Sequence, residues 1–501
     1  MRLGIDFGTT RTVVACADRG NYPVVGFTDE GGDAVEWFPS VVAEREGELR
    51  FGFAAEAVVG QAGWTVVRSF KRWLAEAGAP DREVASGATR LPLVELVARF
   101  LGALREALAT RSNLPDGLPE PERLEAVVAV PANAHGAQRF LTLEAFRRAG
   151  FEVRAMLNEP SAAGFEYTHR YRATLTAKRE HVLVYDLGGG TFDASLVRMS
   201  GRSHDAVATA GVNRLGGDDF DAALADLALA AAGRTRDALE PHAIQALLDG
   251  CRAAKEALHP TTKRIALDVD GAPVTIATAD YYAACQPLIE LTLDVMSPLD
   301  RDDLAGVYIV GGASALPAVG RALRDRFGRR AHRSPYPFAA IALGLAIAAD
   351  DESGYALTDR LSRDFGVFRE ADAGQAVAFD VILPRTVELP AAGGAATAAF
   401  SREYQAAHNI GHFRFVECSR VDGGAPSGDV TPVGEVLFPF DPTLRAAPAS
   451  ALATFPVRRV DGGPRVREDY TVDANGLVAV TITDLESGWS RAFSVGGPLS
   501  S

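Results

Sequence analysis

Lysine is scarce in this chain. Only four of the 51 cationic residues are lysines, and the rest are arginines. The sequence has no run of Lys and Arg, and its formal net charge is −14. Nucleic acids and anionic membranes are bound through a basic face, so the composition argues against a general binder of either kind.

Clustered cysteines and long apolar runs are also missing. The four cysteines lie far apart and form no CxxC pair, which excludes the usual zinc and disulfide frameworks. The longest apolar run, "FAAIALGLAIAA" at 338–349, is too short to span a bilayer and predicts a buried helix. The first residues, "MRLGIDFG", enter a strand pattern directly, without a secretory signal. We therefore expect a cytoplasmic protein.

What is present is an ordinary globular composition with two similar glycine loops. The chain has 501 residues, 47% of them hydrophobic, which allows two to four domains. In "VYDLGGGTFDASLV", a strand ends at Asp186, a glycine turn and Thr191 follow, and a second strand starts near Asp193. The opening, "RLGIDFGTTRTVVACAD", has the same order of strand, Asp6, glycine turn and strand. A plain hairpin turn would explain one copy, but two copies favour a shared role.

These loops are typical of neither common phosphate motif. They have no Gly-Lys-Ser/Thr, and a strand rather than a helix follows each turn. Two such hairpins could close on one polyphosphate from opposite sides, with backbone N–H groups and threonine hydroxyls as donors. The predicted contacts are Gly8, Thr9, Thr10, Gly188, Gly189 and Gly190. Asp6, Asp186 and Asp193 would then face a phosphate-bound Mg²⁺ through water, with Asp6 and Asp186 as the metal-site residues.

A third glycine turn lies in "GVYIVGGASALP", Gly306 to Pro317. Its Gly311, Gly312 and Ala313 would let the backbone approach a flat ligand closely. A plain turn between a strand and a helix is the alternative.

Six motifs, in order, resemble those of the heat-shock protein 70 (DnaK-like) chaperones. They are "IDFGTT", "YDLGGGTFD", "VAVPANAHGAQR", "LNEPSAAGFEY", "RLGGDDFD" and "VGGAS". The resemblance implies an α/β actin-like ATPase domain with a duplicated ribonuclease-H-like core at residues 1–349. It implies ATP and Mg²⁺ as ligands.

The resemblance also assigns roles to individual residues. It places the family's phosphate-facing lysine on Lys71, and adds Glu159 and Thr191 to the catalytic set with Asp6, Asp186 and Asp193. Pro131 and Arg139 match the family's relay between the nucleotide and the interdomain surface. The remaining nucleotide contacts that it implies are Gly216, Gly217, Arg252, Lys255, Glu256 and His259.

The remaining chain is β-patterned. "TVDANGLVAVTITD" carries an Asn475-Gly476 hairpin signal, followed by Val478, Val480 and Ile482 on one strand face. It resembles a segment of the family's substrate-binding β-sandwich, which we expect over residues 361–495, with a tail at 496–501. An unrelated β-domain is the alternative, because strand alternation alone is common.

Three departures from the family pattern stand out. Arg252 and Glu256 have exchanged places in the adenosine helix, His259 replaces a serine and Ala315 an arginine, so we expect roughly tenfold weaker ATP binding and looser base selectivity. The linker at 350–360, "DDESGYALTDR", has few apolar residues, which puts interdomain coupling in doubt. The chain stops soon after the last predicted strand, so we expect no C-terminal helical lid.

The leading interpretation is a lidless, monomeric, ATP-hydrolysing chaperone for unfolded or extended polypeptide. By resemblance, its partners would include a J-domain co-chaperone and a nucleotide-exchange factor. The first alternative is a nucleotide-gated scaffold for one dedicated partner. A sugar kinase of the same fold superfamily is a third, disfavoured because the resemblance extends into the β-region.

Overall fold

The computed structural model describes residues 1–76, 78–86, 88–114, 124–176, 178–391 and 397–497. The predicted tail therefore lies outside the described residues from position 498 onward. No helix among the described residues is long and apolar enough to cross a membrane.

The first third of the chain is built on a five-stranded mixed sheet. Its strands, in chain order, are β1 (Arg2–Phe7), β2 (Arg11–Cys16), β5 (Phe38–Pro39), β11 (Glu125–Val130) and β12 (Glu152–Asn158). Their order across the sheet is β12-β11-β1-β2-β5, with β1 antiparallel to β2 and parallel to β11. Smaller strands beside it are β3 (Phe27–Thr28), β4 (Ala34–Val35), β6 (Val41–Arg45), β7 (Glu48–Phe51), β8 (Thr65–Arg68), β9 (Glu83–Ser86) and β10 (Thr89–Pro92).

A second mixed sheet repeats this arrangement. Its strands are β13 (His181–Leu187), β14 (Phe192–Ser200), β15 (Ser203–Val212), β18 (Leu304–Val310), β19 (Ala331–Arg333) and β20 (Ala356–Thr358). Strand β13 is antiparallel to β14 and parallel to β18, as β1 is to β2 and β11. The two Asp-x-Gly segments thus end corresponding strands, β1 and β13. A separate hairpin is formed by β16 (Arg264–Val269) and β17 (Ala272–Ala277).

Nine helices of this α/β part cover the sheets in the described residues. They are α1 (Phe53–Glu56), α2 (Leu93–Thr110), α3 (Gly136–Arg148), α4 (Glu159–Tyr171), α5 (Gly217–Ala231), α6 (Pro241–Glu256), α7 (Thr278–Met296), α8 (Pro317–Phe327) and α9 (Ala340–Ala349). The buried helix predicted from the apolar run is confirmed, since α9 is almost wholly buried and its residues belong to two separate apolar clusters.

The C-terminal part consists of two four-stranded antiparallel sheets. One has the order β22-β21-β24-β25 and the other β23-β26-β27-β28. Their bounds are β21 (Asp364–Ala371), β22 (Ala376–Leu383), β23 (Thr397–Gln405), β24 (Ile410–Asp422), β25 (Ala425–Pro439), β26 (Arg465–Val472), β27 (Val478–Asp484) and β28 (Ser490–Ser494), with a short helix α10 (Ala449–Thr454) before β26.

The two sheets share one apolar core. Phe365 and Phe415 of the first sheet stack 5.5 Å apart, and Tyr470 of the second sheet meets both rings edge-on. The predicted hairpin is confirmed, because β26 and β27 pair across Asn475-Gly476, where Gly476 has φ +75°. Val478, Val480 and Ile482 all face the core, as their alternation predicts.

The predicted linker contains a strand. Residues Ala356–Thr358 form β20, which pairs in parallel with the start of β15 at the edge of the second sheet. Just before it, the Tyr355 ring lies 5.5 Å from Phe165 and 5.6 Å from His204, edge-on to both. In this chain the linker is therefore held by backbone pairing with β15 and by the contacts of the Tyr355 ring with Phe165 and His204.

Candidate active site

A cleft between the two mixed sheets brings most of the predicted nucleotide-site residues together. Its walls include Asp6, Gly8, Thr9, Thr10, Lys71, Glu159, Asp186, Gly188, Gly189, Thr191, Gly217, Arg252, Lys255, Glu256, Gly311, Gly312 and Ala313. Asp6 and Asp186 reach it because each ends a buried strand, β1 or β13, directly before its glycine turn. Gly190, Gly216 and Asp193 lie behind this wall rather than in it.

The two glycine hairpins touch each other at the centre of the cleft. A Cβ on Gly189 would collide with the hydroxyl of Thr10, and a Cβ on Gly190 would lie 2.9 Å from the hydroxyl of Thr9. A Cβ on Gly216 would lie 2.5 Å from the backbone nitrogen of Gly190. At Gly216 the close packing of backbone on backbone therefore requires glycine, whereas Gly189 and Gly190 leave room for the threonine side chains.

Lys71 is the buried cation of this site. Its Nζ lies 2.8 Å from Oε1 of Glu159, and each side chain is 8% exposed. Lys71 is held by a 3-10 turn at Phe70–Ala75, and Glu159 is the first residue of α4. The ammonium also lies 5.5 Å from the centre of the Phe7 ring. Burial lowers the pKa of Lys71, but Glu159 and Asp6 raise it more, so it stays protonated.

Three more carboxyl groups crowd around this pair. Burial, and then the charge of Glu159, raise the pKa of Asp6 and of Asp193 to about 7. The same two causes raise the pKa of Asp186 well above its ordinary value. Together with Glu159, these are four carboxyl groups around the ammonium of Lys71, and the other buried ammonium of the cleft, that of Lys255, is paired with Asp221. Acidic groups are therefore in excess around Lys71.

The chemistry of these carboxyl groups shows whether the residues suit a phosphate-bound Mg²⁺. Oδ2 of Asp186 is buried without a hydrogen-bond partner among the described residues, and an unpaired buried acceptor is costly. Carboxylate oxygens are the hard donors that Mg²⁺ prefers, and Mg²⁺ keeps several waters. The described residues contain no group of three His, Cys, Asp or Glu close enough to hold a metal directly. Asp6 and Asp186 therefore fit a hydrated cation.

Lys255 and Arg252 are tied to acidic residues of α5. Nζ of Lys255 lies 2.6 Å from Oδ1 of Asp221 and donates to the carbonyl of Gly217 at 2.7 Å. Arg252 donates to Asp218 at 3.1 Å and lies 3.4 Å from Asp221. Asp218 also accepts from Ser69 at 2.6 Å, so it joins the two sides of the cleft. Arg252 lines the phosphate side of the cleft and not the cavity beyond it.

A wider cavity of about 460 Å³ continues the cleft past Gly312 and Ala313. We call it the base-side cavity; His259 and Ala315 line it, as do Arg321, Arg324 and Arg333. At its entrance, Glu256 accepts a hydrogen bond of 2.5 Å from Arg11. The Arg11 guanidinium lies between two rings, 4.6 Å from that of Trp37 and 4.8 Å from that of Phe338.

Comparison with known proteins decides the family. The model of the Hsp70 protein family matches residues 119–364. The chain is 32% identical to proteins named chaperone protein HscA homolog from Burkholderia multivorans and from Burkholderia cenocepacia, with 97% of this chain and 77% of each relative aligned. The homologue from Burkholderia ambifaria matches to the same extent. The chain belongs to the Hsp70 family.

In this Hsp70 chain, the predicted relay residues lie where the α/β part meets the β-domain. Pro131 is buried just after β11, and its carbonyl accepts from Ala134 N at 3.0 Å. The buried Arg139 donates to Oδ1 of Asn158 at 2.5 Å and to the carbonyl of Asn475 in the β-domain at 3.3 Å.

A second polar connection runs between the same two parts. The backbone N–H of Asn133 donates to Oδ1 of Asp193 at 3.2 Å. The Asn133 amide oxygen accepts from Arg363 at 3.3 Å, and Arg363 lies 2.9 Å from Asp429. Backbone N–H of Gly136 adds a bond to Glu417 at 3.1 Å. These contacts form an unbroken polar path from Asp193 to the β-domain.

Several of these residues escaped the sequence analysis. Asn133 lies inside a recognised motif, but nothing in the pattern sets it apart from its neighbours. Arg11 directly follows the first glycine turn, so its position next to predicted ligand contacts could have identified it as a residue of the cleft. Phe338 and the arginines of the base-side cavity come from segments without a motif, and only the fold brings them to the cleft.

Proposed function

We propose that this Hsp70-family protein is an ATP-dependent chaperone that hydrolyses ATP and binds unfolded or extended polypeptide. The observation that carries the proposal is the buried Lys71–Glu159 pair, which lies among Asp6, Asp186 and Asp193 where two glycine loops meet. In this proposal, residues 1–349 form an actin-like ATPase domain and residues 361–495 a substrate-binding β-sandwich. The cytoplasmic location and the monomeric state remain predictions from the sequence.

The residues of the cleft suit phosphoryl transfer to water, which needs positioning and charge stabilisation above all. Lys71 offers a positive charge whose position Glu159 fixes. Asp193 lies behind the cleft wall and has a pKa of about 7, so it is suited to take up or release a proton near neutral pH beside the Lys71–Glu159 pair without lining the ligand path. The glycine loops offer backbone N–H groups, and Thr9, Thr10 and Thr191 offer hydroxyls. Mg²⁺, when bound near Asp6 and Asp186, would neutralise part of the phosphate charge.

The β-domain offers a cavity of about 690 Å³ for polypeptide. It lies between the ends of β21 and β23, the start of β24 and the segment around Arg459, with Phe368, Tyr404 and Phe413 among its walls. An extended segment could bind there through strand-like hydrogen bonds and side-chain pockets. A J-domain co-chaperone and a nucleotide-exchange factor are proposed partners on the strength of the family.

The same cavity favours a second candidate function, a nucleotide-gated scaffold for one dedicated partner. Its walls are strongly charged: Arg402 pairs with Asp380 at 2.8 Å, and Arg459 and His408 both contact Glu370. Arg369 lies 2.7 Å from the fully buried Glu468 and 2.8 Å from Asp380. Such walls suit a polar partner better than the apolar segments that unfolded proteins expose.

ATP turnover with Mg²⁺, measured with and without unfolded peptides, tests the proposal. One peptide set should be apolar and a matched set should carry alternating charges. Stimulation by many unrelated peptides would support a general chaperone. Turnover that no peptide stimulates would favour the scaffold, and no turnover at all would contradict the ATPase assignment.

A further inference from the structure

An ion pair bridges the neck between the phosphate cleft and the base-side cavity. Arg11, from β2 of the first sheet, donates through Nη2 to Oε2 of Glu256 at 2.5 Å, and Glu256 is the last residue of α6. Both residues line the phosphate cleft, and Glu256 also lines the base-side cavity. The pair therefore joins two distant parts of the chain at the place where the two cavities meet.

Two aromatic rings fix the orientation of Arg11. Its guanidinium lies 4.6 Å from the centre of the Trp37 ring and 4.8 Å from that of the Phe338 ring, and its side chain is only 22% exposed. The Phe338 ring lies directly on the third glycine turn, because a Cβ on Gly312 would come within 2.7 Å of it. A guanidinium between two rings is attracted to both, so Arg11 is held more firmly than a surface arginine.

A second ion pair ties the same face of α6 to the first sheet region. Asp249 lies two helical turns before Glu256, and its Oδ1 lies 2.8 Å from Nε of Arg68 in β8. A movement of α6 away from β2 and β8 would have to break both pairs. Arg68 and Asp249 do not line the cleft, whereas Arg11 and Glu256 do, so only the second of these pairs lies on the path of a ligand.

We propose that the Arg11–Glu256 pair is a latch across this neck that sets the rate of nucleotide release. The inference rests on the proposed function, because it assumes that the cleft holds a nucleotide. With its phosphates at the glycine loops and its base in the base-side cavity, the nucleotide has its ribose in the neck. The phosphate side encloses only about 100 Å³, against about 460 Å³ on the base side, so the ligand leaves when the neck widens.

Release of radiolabelled ADP tests the latch, because a fluorescent group on the ribose would itself fill the neck. The full chain is loaded with labelled ADP and Mg²⁺, chased with excess unlabelled ADP, and filtered at intervals. We expect about tenfold faster release from Arg11→Gln, which loses the ion pair and both ring contacts. Arg11→Lys keeps the charge without the planar stacking, and its release rate should fall between those of the wild type and Arg11→Gln.

Glu256→Gln separates a latch from a direct contact between Arg11 and the nucleotide. It removes the ion pair at nearly constant size, so a latch predicts about two- to fivefold faster release. If Arg11 acted by binding the nucleotide, freeing it from Glu256 would slow release, and that result would overturn the inference. The double variant Arg11→Gln, Glu256→Gln should release ADP no faster than Arg11→Gln, because both changes break the same contact.

Arg19→Gln is the matched control, because Arg19 also pairs with a carboxylate, that of Asp18, but is 91% exposed and lies outside the cleft. Its release rate should equal that of the wild type. Thermal unfolding checks that each variant is folded, and Arg11→Lys with Glu256→Gln carries the test if Arg11→Gln is not. Normal ADP binding with unchanged release in the Arg11 and Glu256 variants would overturn this inference alone. No binding of ADP to the wild type would overturn both it and the proposed function.

Discussion

The cleft proposed to bind nucleotide has two halves, the phosphate half around Lys71 and the base half formed by the base-side cavity, and they differ in how they are built. The phosphate half is buried, and its groups contact each other: Lys71 with Glu159, Gly189 with Thr10, and Gly216 with Gly190. The base half is wide and open, and most of its charged groups are exposed arginines of α8 and β19, with Lys255 and Glu256 of α6 at its junction with the phosphate half. The tightly packed half leaves little freedom to change a residue, whereas the open half can exchange one side chain for another and keep the fold.

Of the changes that test this difference between the two halves, loss of Lys71 should have the largest effect, and it should act on turnover. Lys71→Ala leaves Glu159 buried without its cation and removes the positive charge that faces the phosphate. We expect turnover to fall by about 100–1,000-fold, as for other preorganised charged groups, with triphosphate affinity changed much less. Steady-state turnover and calorimetric binding separate the two quantities.

Lys178→Ala is the matched control, since Lys178 is exposed and outside the cleft. Wild-type turnover in Lys71→Ala would show that the phosphate half does not depend on its buried cation, and the contrast between the halves would then lose its basis.

Gly216→Ala should produce the next largest effect. Its new Cβ would meet the backbone N, C and O atoms of Gly189 and Gly190 at 2.5–2.7 Å, and backbone cannot yield as a side chain can. We expect a loss of nucleotide affinity of about tenfold or more, equivalent to about 1.4 kcal/mol. Gly250→Ala in α6 is the control, because its Cβ would meet nothing closer than 4.0 Å and alanine favours a helix. Equal affinity in both variants would contradict the tight packing of the loops.

A third, smaller effect is expected on the thermal stability of the protein as the pH changes. The pKa of Asp193 and of Asp6 rises from 3.8 to about 7 in the folded protein, so the folded state binds protons more tightly than the unfolded chain. Their contribution to stability is complete below pH 3.8 and is lost as the pH rises to about 7. Without Mg²⁺, the unfolding midpoint should therefore fall between pH 5 and pH 8, by at least about 2 °C.

Asp193→Asn should flatten this fall, and so should saturating Mg²⁺, because a bound cation stabilises the ionised carboxyls. Thermal unfolding scans of the wild type and of Asp193→Asn, each with and without Mg²⁺, measure how far the midpoint falls between pH 5 and pH 8. A pH profile that is identical in the variant would mean that Asp193 titrates at its ordinary pKa.

Arg252→Ala should have the smallest effect. The resemblance implies that Arg252 contacts the nucleotide from the adenosine helix, but its guanidinium contacts Asp218 and Asp221 on the phosphate side. We expect about a two- to threefold change in affinity, equal for ATP and GTP, because the side chain supports α5 and does not reach the base. A change that differs between the two nucleotides would place Arg252 in the base half after all.

The meeting of the two glycine loops in one cleft could be predicted from sequence, because it depends on backbone geometry. A Cβ on Gly216 would meet backbone, and a Cβ on Gly189 would meet the side chain of Thr10, so short glycine-containing strings mark the place where these loops touch. The hairpin at Asn475-Gly476 and the buried α9 were predictable for similar reasons of local geometry and periodicity. Each of these features is determined by residues close together in the chain.

The base half could not be predicted in this way. Arg321, Arg324 and Arg333 lie on a helix surface and on a short strand, where arginine normally signals only solvent exposure. They come together only through the way α8 and β19 fold around the cavity. The strand within the linker was missed for the same reason, since the short segment Ala356–Thr358 is stabilised by its partner β15 and by no pattern of its own.

That linker strand has a consequence for the solubility of the protein. As the outermost strand of a six-stranded sheet, β20 covers backbone donors and acceptors at the start of β15 that would otherwise form an open edge. Open edges recruit strands from other chains and promote aggregation. A movement that released the linker would therefore expose a site for unwanted strand pairing beside His204 and Arg202. The docked linker thus protects the sheet edge, and any state without it would need another covering strand or a short lifetime to avoid aggregation.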